Sequence, residues 1–283
     1  MSVVTFSNKD KRETGQTLSV AAIATVMAIE HNYKILILST DFDDKTLERA
    51  FFKDNKTAKS INSLFRNKAG ATDVSNGLEG LVRLFASNRA DASLISSYAR
   101  PILTGRLDLI SSPKTTTYKE YENISDYFSQ IIEVANTIYD VVFVDLSDVI
   151  PEENIERVYN VSTMVAMGLS QNKTSIDNFL KLKMENEFYQ KNSVMLTIGK
   201  YDEESIYTSK NIARYLKEGI NPFIVPYSIR FADSCSEGQI VDYILKVRSL
   251  AFTDGDDGKF YQEVKDTAER IDYERRSIDF GIK

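Results

Sequence analysis

The sequence predicts an α/β protein with a doubly wound, mostly parallel sheet flanked by helices, organised as a single domain over residues 1–283. Short β-rich runs alternate with longer amphipathic runs along the chain, and nearly all of the short runs are continuously apolar. Strands that helices cover on both faces have this character, whereas half-exposed antiparallel strands alternate apolar and polar residues. The chain has only 12 Gly and 5 Pro, with no Ser/Gly linker or repeat that would indicate a domain boundary.

Seven apolar runs are predicted to be strands: residues 3–6, 35–39, 107–111, 141–146, 163–169, 194–198 and 223–225. Four amphipathic runs are long enough for right-handed crossovers between parallel strands: residues 17–30, 124–137, 174–184 and 204–217. Residues 53–104 are predicted to be helical without a clear strand and to cover the sheet edge or the ligand face. A last helix is predicted over residues 259–272, followed by a loose charged tail over residues 273–283.

The composition excludes several classes of protein. Thirty-five Lys and Arg against 41 Asp and Glu give a formal charge of −6, the wrong sign for a dedicated phosphate-backbone binder, so DNA is an unlikely partner. One Cys and one His exclude an intramolecular disulfide, a Cys-based zinc cluster and a His-rich metal site. We predict a cytoplasmic protein that contacts membranes only indirectly, because no run approaches the ~18 apolar residues of a membrane span and no signal peptide is evident.

The chemistry of the sequence is concentrated in residues 7–17, SNKDKRETGQT, which link the first strand to a long apolar helix. A phosphate-binding loop needs this arrangement, because backbone N–H groups and a helix N-terminus then converge on anionic oxygens. The motif G-x-x-x-x-G-K-[ST] is half present. Gly15 and Thr17 keep the second glycine and the hydroxyl that would hold Mg²⁺, whereas Asp10 stands at the first glycine and Gln16 at the phosphate lysine.

This loop and three further segments resemble the deviant-Walker ATPases of the ParA/MinD superfamily over essentially the whole chain. The family loop reads K-G-G-x-G-K-[ST], so the resemblance places Lys11 at the signature lysine and Arg12 and Glu13 at the paired glycines. Lys9 is a competing signature lysine if the loop carries an insertion. The nucleotide-binding residues that the resemblance implies are Lys9, Lys11, Arg12, Thr14, Gly15, Gln16, Thr17 and Leu18.

Residues 34–41 resemble the second strand of the family, which ends in D-x-D, with Ser39 at the first Asp and Asp41 at the second. Residues 139–145 resemble its Walker B strand, and residues 225–227 with 231–233 resemble its closing strand and following loop. Residues 199–202, Gly-Lys-Tyr-Asp, do not preserve the Asn that relatives often place against adenine.

The resemblance also implies roles for these residues. Asp41 would be catalytic by orienting the attacking water, and Lys11 would be catalytic by reaching the phosphates of the partner in a homodimer. Thr17 and Asp145 would be the ligands of Mg²⁺. Without the resemblance, Thr17 is equally well a first-turn residue of a helix, and Asp41 a turn-forming residue.

Within the superfamily, residues 13–19 and 29–34 look most like the CpaE/TadZ-like branch found with tight-adherence (Flp) pilus systems. This closer resemblance implies pilus or secretion assembly proteins as partners. The expected role is that of a localisation or scaffolding factor.

The loop substitutions predict weak ATP binding and little hydrolysis. A charge-assisted hydrogen bond contributes ~1.5–3 kcal/mol, so Gln16 in place of lysine weakens triphosphate binding by roughly 10- to 150-fold. Hydrolysis suffers more, because the missing cation acts where charge shifts during phosphoryl transfer. Two alternatives stay open: an active ATP-dependent dimerising switch for DNA or cargo partitioning, and a nucleotide-free protein-interaction domain.

Overall fold

A computed structural model describes residues 1–9, 14–42, 44–53, 77–87, 91–115, 117–191, 193–219, 221–251 and 255–281. These residues form one eight-stranded sheet with helices on both faces. The strands are β1 (Ser2–Asn8), β2 (Ile35–Ser39), β3 (Arg100–Leu103), β4 (Leu107–Ile110), β5 (Val141–Asp145), β6 (Met164–Gly168), β7 (Val194–Tyr201) and β8 (Phe223–Pro226).

The helices of the described ranges are α1 (Gln16–Glu30), α2 (Thr46–Phe51), α3 (Leu78–Ala86), α4 (Ala92–Tyr98), α5 (Tyr118–Ser125), α6 (Phe128–Ala135), α7 (Glu152–Asn160), α8 (Lys173–Glu185), α9 (Ser209–Leu216), α10 (Ile229–Ser236), α11 (Ile240–Arg248) and α12 (Asp256–Asp279). A short 3₁₀ helix, Glu187–Gln190, precedes β7. None of the helices in these ranges combines the length and apolar character that crossing a membrane requires.

The strands lie in the order β3-β4-β2-β5-β1-β6-β7-β8, and every neighbouring pair is parallel except β3 and β4. The connection from β1 leads to β2 on one side of the sheet, whereas the connection from β5 passes to β6 on the other side of β1. The carboxyl end of β1 is therefore the point at which the direction of winding reverses. In open α/β sheets, ligands bind in the crevice outside such a point.

Both faces of the sheet are buried, which explains the continuously apolar strands. On one face, Val4 and Phe6 of β1 pack with residues from α1, α2 and α10–α12. On the other face, Val3 packs with residues from α3–α9. The predicted doubly wound α/β fold is confirmed, and all seven predicted strands are present.

Three helical predictions differ from the structure. The run 53–104 contains β3, an edge strand that pairs antiparallel with β4 and whose first two residues are exposed. It was missed because a short exposed edge strand containing Pro101 lacks the apolar signature of the buried strands. The predicted helix 124–137 is two helices, α5 and α6, and the helix predicted from residue 204 begins at Ser209. Residues 54–76 and 88–90 of the run lie outside the described residues.

The expected loose tail over residues 273–283 is wrong for its first part, because α12 continues to Asp279. Arg275 is buried in this last part and donates to Ser2 Oγ at 3.0 Å and to Asp272 Oδ1. The sequence predicts a solvated tail because Ser2 at the start of β1, which Arg275 contacts, is remote in sequence. Residues 282–283 lie outside the described residues.

Candidate functional site

A cleft of about 720 Å³ lies at the carboxyl ends of β1, β2, β5 and β7. Its lining comes from the end of β1, residues 14–18 at the start of α1, the connection from β2 to α2, and residues 146–149 after β5. Lys200 of β7 completes it. The cleft thus occupies the crevice that the reversal of strand order creates.

Gly15 provides the turn from the loop into α1. Its φ of 68° is in the left-handed region, where glycine has no steric cost, and it is the N-cap residue of this 15-residue helix. The first N–H groups of α1 have no partner within the helix, and the helix dipole adds partial positive charge there. This end of α1 can therefore bind an anion in the cleft.

Gln16 is held by the floor of the cleft instead of extending across it. Its Nε2 donates to Asp145 Oδ1 at 2.7 Å and to the Leu146 carbonyl at 3.1 Å. Its Oε1 accepts from Asn8 Nδ2 at 2.7 Å, and the residue is only 8% exposed. The residue at the expected lysine position is thus neutral, and its amide is already bonded on both sides.

Asp145 ends β5 beside Phe6 of β1 and is 2% exposed. Burial raises the pKa of Asp145 to about 6, although hydrogen bonds from Gln16 and Thr17 act to lower it. Its Oδ2 atom is buried without a hydrogen-bond partner of ordinary geometry. Thr17 lies in the first turn of α1. Its hydrogen bond to Asp145 brings the two expected Mg²⁺ ligands together.

Asp41 lies on the neighbouring wall, immediately after β2. Its Oδ1 accepts from the Phe42 N–H at 2.8 Å and from Ser147 Oγ at 3.1 Å. Burial raises its pKa above the usual range, and the nearby carboxylates of Asp44 and Asp148 add to this shift. Asp41 is thus both a turn residue and a cleft carboxylate.

The remaining predicted residues are divided between the cleft and its surroundings. Thr14 and Leu18 line the cleft, and the buried Thr14 Oγ1 has no hydrogen-bond partner. Lys9 Nζ instead bonds both carboxylate oxygens of Glu152 at 3.0 Å and does not line the cleft. Lys11 and Arg12 lie outside the described residues.

Sequence reasoning missed the basic side chains of the cleft, Lys45, Arg49 and Lys200. Lys45 is the N-cap residue of α2 and Arg49 lies within α2, where no motif indicated a role. Lys200 follows Gly199, a position noted only because it lacks an expected Asn. The floor residue Asn8 was missed too, since only the fold shows that it contacts Gln16.

The cleft residues fit a nucleotide with a divalent cation. A volume of 720 Å³ is within the ~300–1,000 Å³ of small-molecule sites, and the lining residue Thr14 has a buried Oγ1 without a partner. Asp145 does not line the cleft but accepts from the lining residue Gln16, and its Oδ2 is buried without a partner of ordinary geometry. In the described part of the chain, no group of three or more His, Cys, Asp or Glu is arranged to hold a metal ion. Mg²⁺ needs no such group, because it commonly combines one or two protein ligands with phosphate oxygens and water.

Solved structures that share this architecture include ParA- and MinD-type proteins. A ParA family ATPase from Chlorobium tepidum TLS has a TM-score of 0.68 at 22% identity, over 94% of this chain and 98% of that one. MinD from Pyrococcus horikoshii OT3, complexed with Mg-ADP, has a TM-score of 0.63 at 12% identity, over 96% of each chain. The Aquifex aeolicus MinC:MinD complex has a TM-score of 0.62 at 15% identity, over 96% of each chain.

No protein-family profile matches the sequence, and no curated protein matches it. The agreement with the solved structures over nearly the whole chain shows that the chain has the fold of the ParA/MinD-type P-loop ATPases.

Proposed function

We propose that this chain is a ParA/MinD-like nucleotide-binding protein that binds ATP and Mg²⁺ weakly, hydrolyses ATP slowly, and acts in the cytoplasm as a localisation or scaffolding factor. The observation that carries the proposal is the position of Gln16, which lies at the start of α1 in a phosphate-site geometry but donates to Asp145 and Leu146. Binding of the nucleotide, with little turnover, would then control the protein.

The retained residues support binding. The N-terminus of α1 offers N–H groups to phosphate oxygens. Thr17 and Asp145 would hold Mg²⁺, which neutralises phosphate charge when it is bound. Asp41 lines the cleft and lies close enough to Asp145 for its charge to raise the pKa of that carboxyl.

The loss at position 16 weakens hydrolysis more than binding. Catalysis of phosphoryl transfer consists largely of positioning and of stabilising charge in the transition state, and a neutral amide contributes little to either. Before Gln16 could reach a phosphate, it would also have to break its bonds to Asn8 and Asp145. The structure thus supports a site in which binding and turnover are uncoupled.

The proposed partners are a second copy of the chain, facing across the cleft, and pilus or secretion assembly proteins. Self-association and the role of Lys11 across the interface rest on the resemblance in sequence, as does the CpaE/TadZ-like branch. The MinD of the Aquifex complex is bound to MinC, so a protein of this fold can assemble with a different chain. A net charge of −6 disfavours DNA as the partner.

One observation favours a second candidate, a nucleotide-free interaction domain. The Gln16 amide bonds Asn8 and Asp145 without a ligand, so its own donors and acceptor are used within the chain. In this alternative, Gln16 replaces the nucleotide as the group that holds the loop against β5.

Calorimetry with ATP and Mg²⁺, combined with a phosphate-release assay, tests the proposal on the wild-type chain and on Gln16→Lys. We expect weak wild-type binding with little release, and an affinity about 10- to 150-fold higher in Gln16→Lys. Gln262→Lys on α12 is the charge-matched control and should leave the affinity unchanged.

Two results would contradict the proposal in different ways. Brisk wild-type turnover that depends on Lys11 would identify an active ATP-dependent switch. If ATP neither binds nor shifts the melting temperature of the wild-type chain, the result supports the alternative that the chain is a nucleotide-free interaction domain.

A further inference from the structure

Lys200 has an unusual backbone conformation next to the candidate site. Its φ of 52° is in the left-handed region, which costs a non-glycine residue about 1–2 kcal/mol. Among the described residues, Lys217 is the second non-glycine residue with a positive φ. It caps the end of α9, where this conformation is common. Lys200 instead lies within β7, where the pairing with β8 is irregular between Ile198 and Tyr201. Such irregularities redirect side chains beside active sites.

The residue before it explains how β7 reaches the phosphate loop. A Cβ atom on Gly199 would lie 2.4 Å from the Thr14 carbonyl oxygen and 2.5 Å from Ser19 Oγ. Only glycine permits this approach without a shift of the backbone. Gly199 thus presses the end of β7 against the turn that leads into α1.

This contact fixes the direction of the Lys200 side chain. Its Cγ lies 3.0 Å from the position that a Cβ on Gly15 would occupy, so the aliphatic stem covers the N-cap of α1. The residue is exposed and lines the cleft, and it forms no ion pair with a described residue. A cation is therefore held at the place where an anion would meet the first N–H groups of α1.

We propose that Lys200 binds the phosphate groups of the nucleotide and supplies from β7 the positive charge that Gln16 does not supply from α1. This inference rests on the proposed function, because it assigns a ligand contact within the same cleft. The strained backbone supports it, since a strained residue beside a ligand cleft often has a functional role.

The other basic residues of the cleft are less suited to this role. Lys45 and Arg49 come from the wall that also carries Asp41 and Asp44, whose carboxylates oppose an anion. Lys200 comes from the opposite side and passes over Gly15, whose neighbouring N–H groups would bind the same anion.

The test compares Lys200→Met, which keeps the length of the stem and removes the charge, with Lys200→Arg, which keeps the charge. Affinities for Mg-ATP and for inorganic tripolyphosphate are measured by calorimetry on the full chain, and melting temperatures are recorded without ligand. Lys246→Met is the matched control, because Lys246 is an exposed lysine of α11 that does not line the cleft.

We expect Lys200→Met to lower the affinity for both ligands by about 10- to 100-fold, the effect of one lost charge-assisted hydrogen bond. Its melting temperature should match that of the wild type, because the stem still covers Gly15. Lys200→Arg should stay within a few-fold of the wild type, and Lys246→Met should be unchanged.

Several results would overturn the inference. Unchanged tripolyphosphate affinity in Lys200→Met would do so, even if ATP affinity fell, because Lys200 would then contact the nucleoside. An affinity loss that Lys200→Arg fails to rescue and that accompanies a lower melting temperature would show a purely structural role. Lys200-dependent binding of tripolyphosphate without ATP binding would retain the inference and refute the proposed function, whereas binding of neither ligand would refute both.

Discussion

The two ends of β1 both carry buried polar groups, but only one end pairs its charges. At the amino end, Arg275 donates to Ser2 and Asp272, and Asp272 also accepts from Arg276 and Tyr33. One guanidinium nitrogen there, Arg275 Nε, is left without a partner, but the charge itself is balanced.

At the carboxyl end, the buried groups keep unused hydrogen-bonding capacity. Asn8 Oδ1, Thr14 Oγ1 and Asp145 Oδ2 are buried atoms without a partner of ordinary geometry, and no described cation forms an ion pair with Asp145. Burying a polar group without a partner costs free energy, so the fold gives up stability at this end. The comparison shows that the buried charges are paired at one end of β1, whereas the other end keeps buried polar groups with unused hydrogen-bonding capacity.

Loss of charge pairing at the amino end should have the largest effect. The Arg275 side chain is 6% exposed and pairs with Asp272. Arg275→Met removes this cation and leaves the buried carboxylate of Asp272 with less opposite charge beside it. We therefore expect a loss of about 3 kcal/mol in the free energy of unfolding. Arg276→Met is the control, because that side chain is 49% exposed and should cost less than about 1 kcal/mol. Urea denaturation measures both. Equal losses would contradict the distinction between a buried pair and a surface pair.

Gly199→Ala should destabilise the carboxyl end by about 1–3 kcal/mol, because its methyl group would meet the Thr14 carbonyl and Ser19 at less than 3 Å. Gly219→Ala is the matched control, since a Cβ there has no neighbour within 4 Å. Thermal unfolding compares the two variants. If both behave alike, close contact between β7 and the loop is not required.

Asp145→Asn should stabilise the chain at neutral pH by on the order of 2 kcal/mol. A raised carboxyl pKa means that folding favours the protonated form. The stability from Asp145 is therefore complete below its unfolded pKa of 3.8 and is lost as the pH rises through about 6. Asp145→Asn does not lose this stability. Its free energy of unfolding should therefore exceed that of the wild type by an amount that grows between roughly pH 4 and pH 6 and then levels off.

Asp91→Asn serves as the control for the pH series. Hydrogen bonds from the Ser93 N–H and hydroxyl lower the pKa of Asp91, so its stabilising contribution is lost as the pH falls. For Asp91→Asn, the free energy of unfolding of the wild type minus that of the variant should thus change with pH in the direction opposite to that for Asp145→Asn. Urea denaturation over the pH range measures it, and a pH-independent advantage of Asp145→Asn would refute the assignment of a raised pKa.

Thr14→Val should give the smallest effect, an increase of about 1 kcal/mol in the free energy of unfolding. Thr14 is 1% exposed and its hydroxyl has no partner, so the variant no longer buries an unpaired polar group. Thr25→Val in α1 is the comparison, since Thr25 Oγ1 donates to the Ala21 carbonyl at 2.7 Å. That variant loses a bond and should not gain stability. A destabilised Thr14→Val would show that its hydroxyl has a partner in the ligand-free chain.

The sequence predicted the fold from local patterns. The continuously apolar runs of β1, β2 and β5 reflect burial on both faces, which is a property of each strand separately. The sequence does not predict β3, because an exposed edge strand has no such pattern. It does not predict the end of α12 either, because the burial of Arg275 depends on the start of β1.

By itself, the sequence determined the α/β architecture, the strand–loop–helix order around Gly15, and the residue types present at the ends of β1, β2 and β5. The tertiary structure alone decided that Gln16 bonds Asp145, that Lys9 pairs with Glu152, and that Lys200 lies over Gly15. The physical reason is that hydrophobic periodicity acts along the chain, whereas hydrogen bonds and charge pairs act between strands that meet only after the sheet has formed.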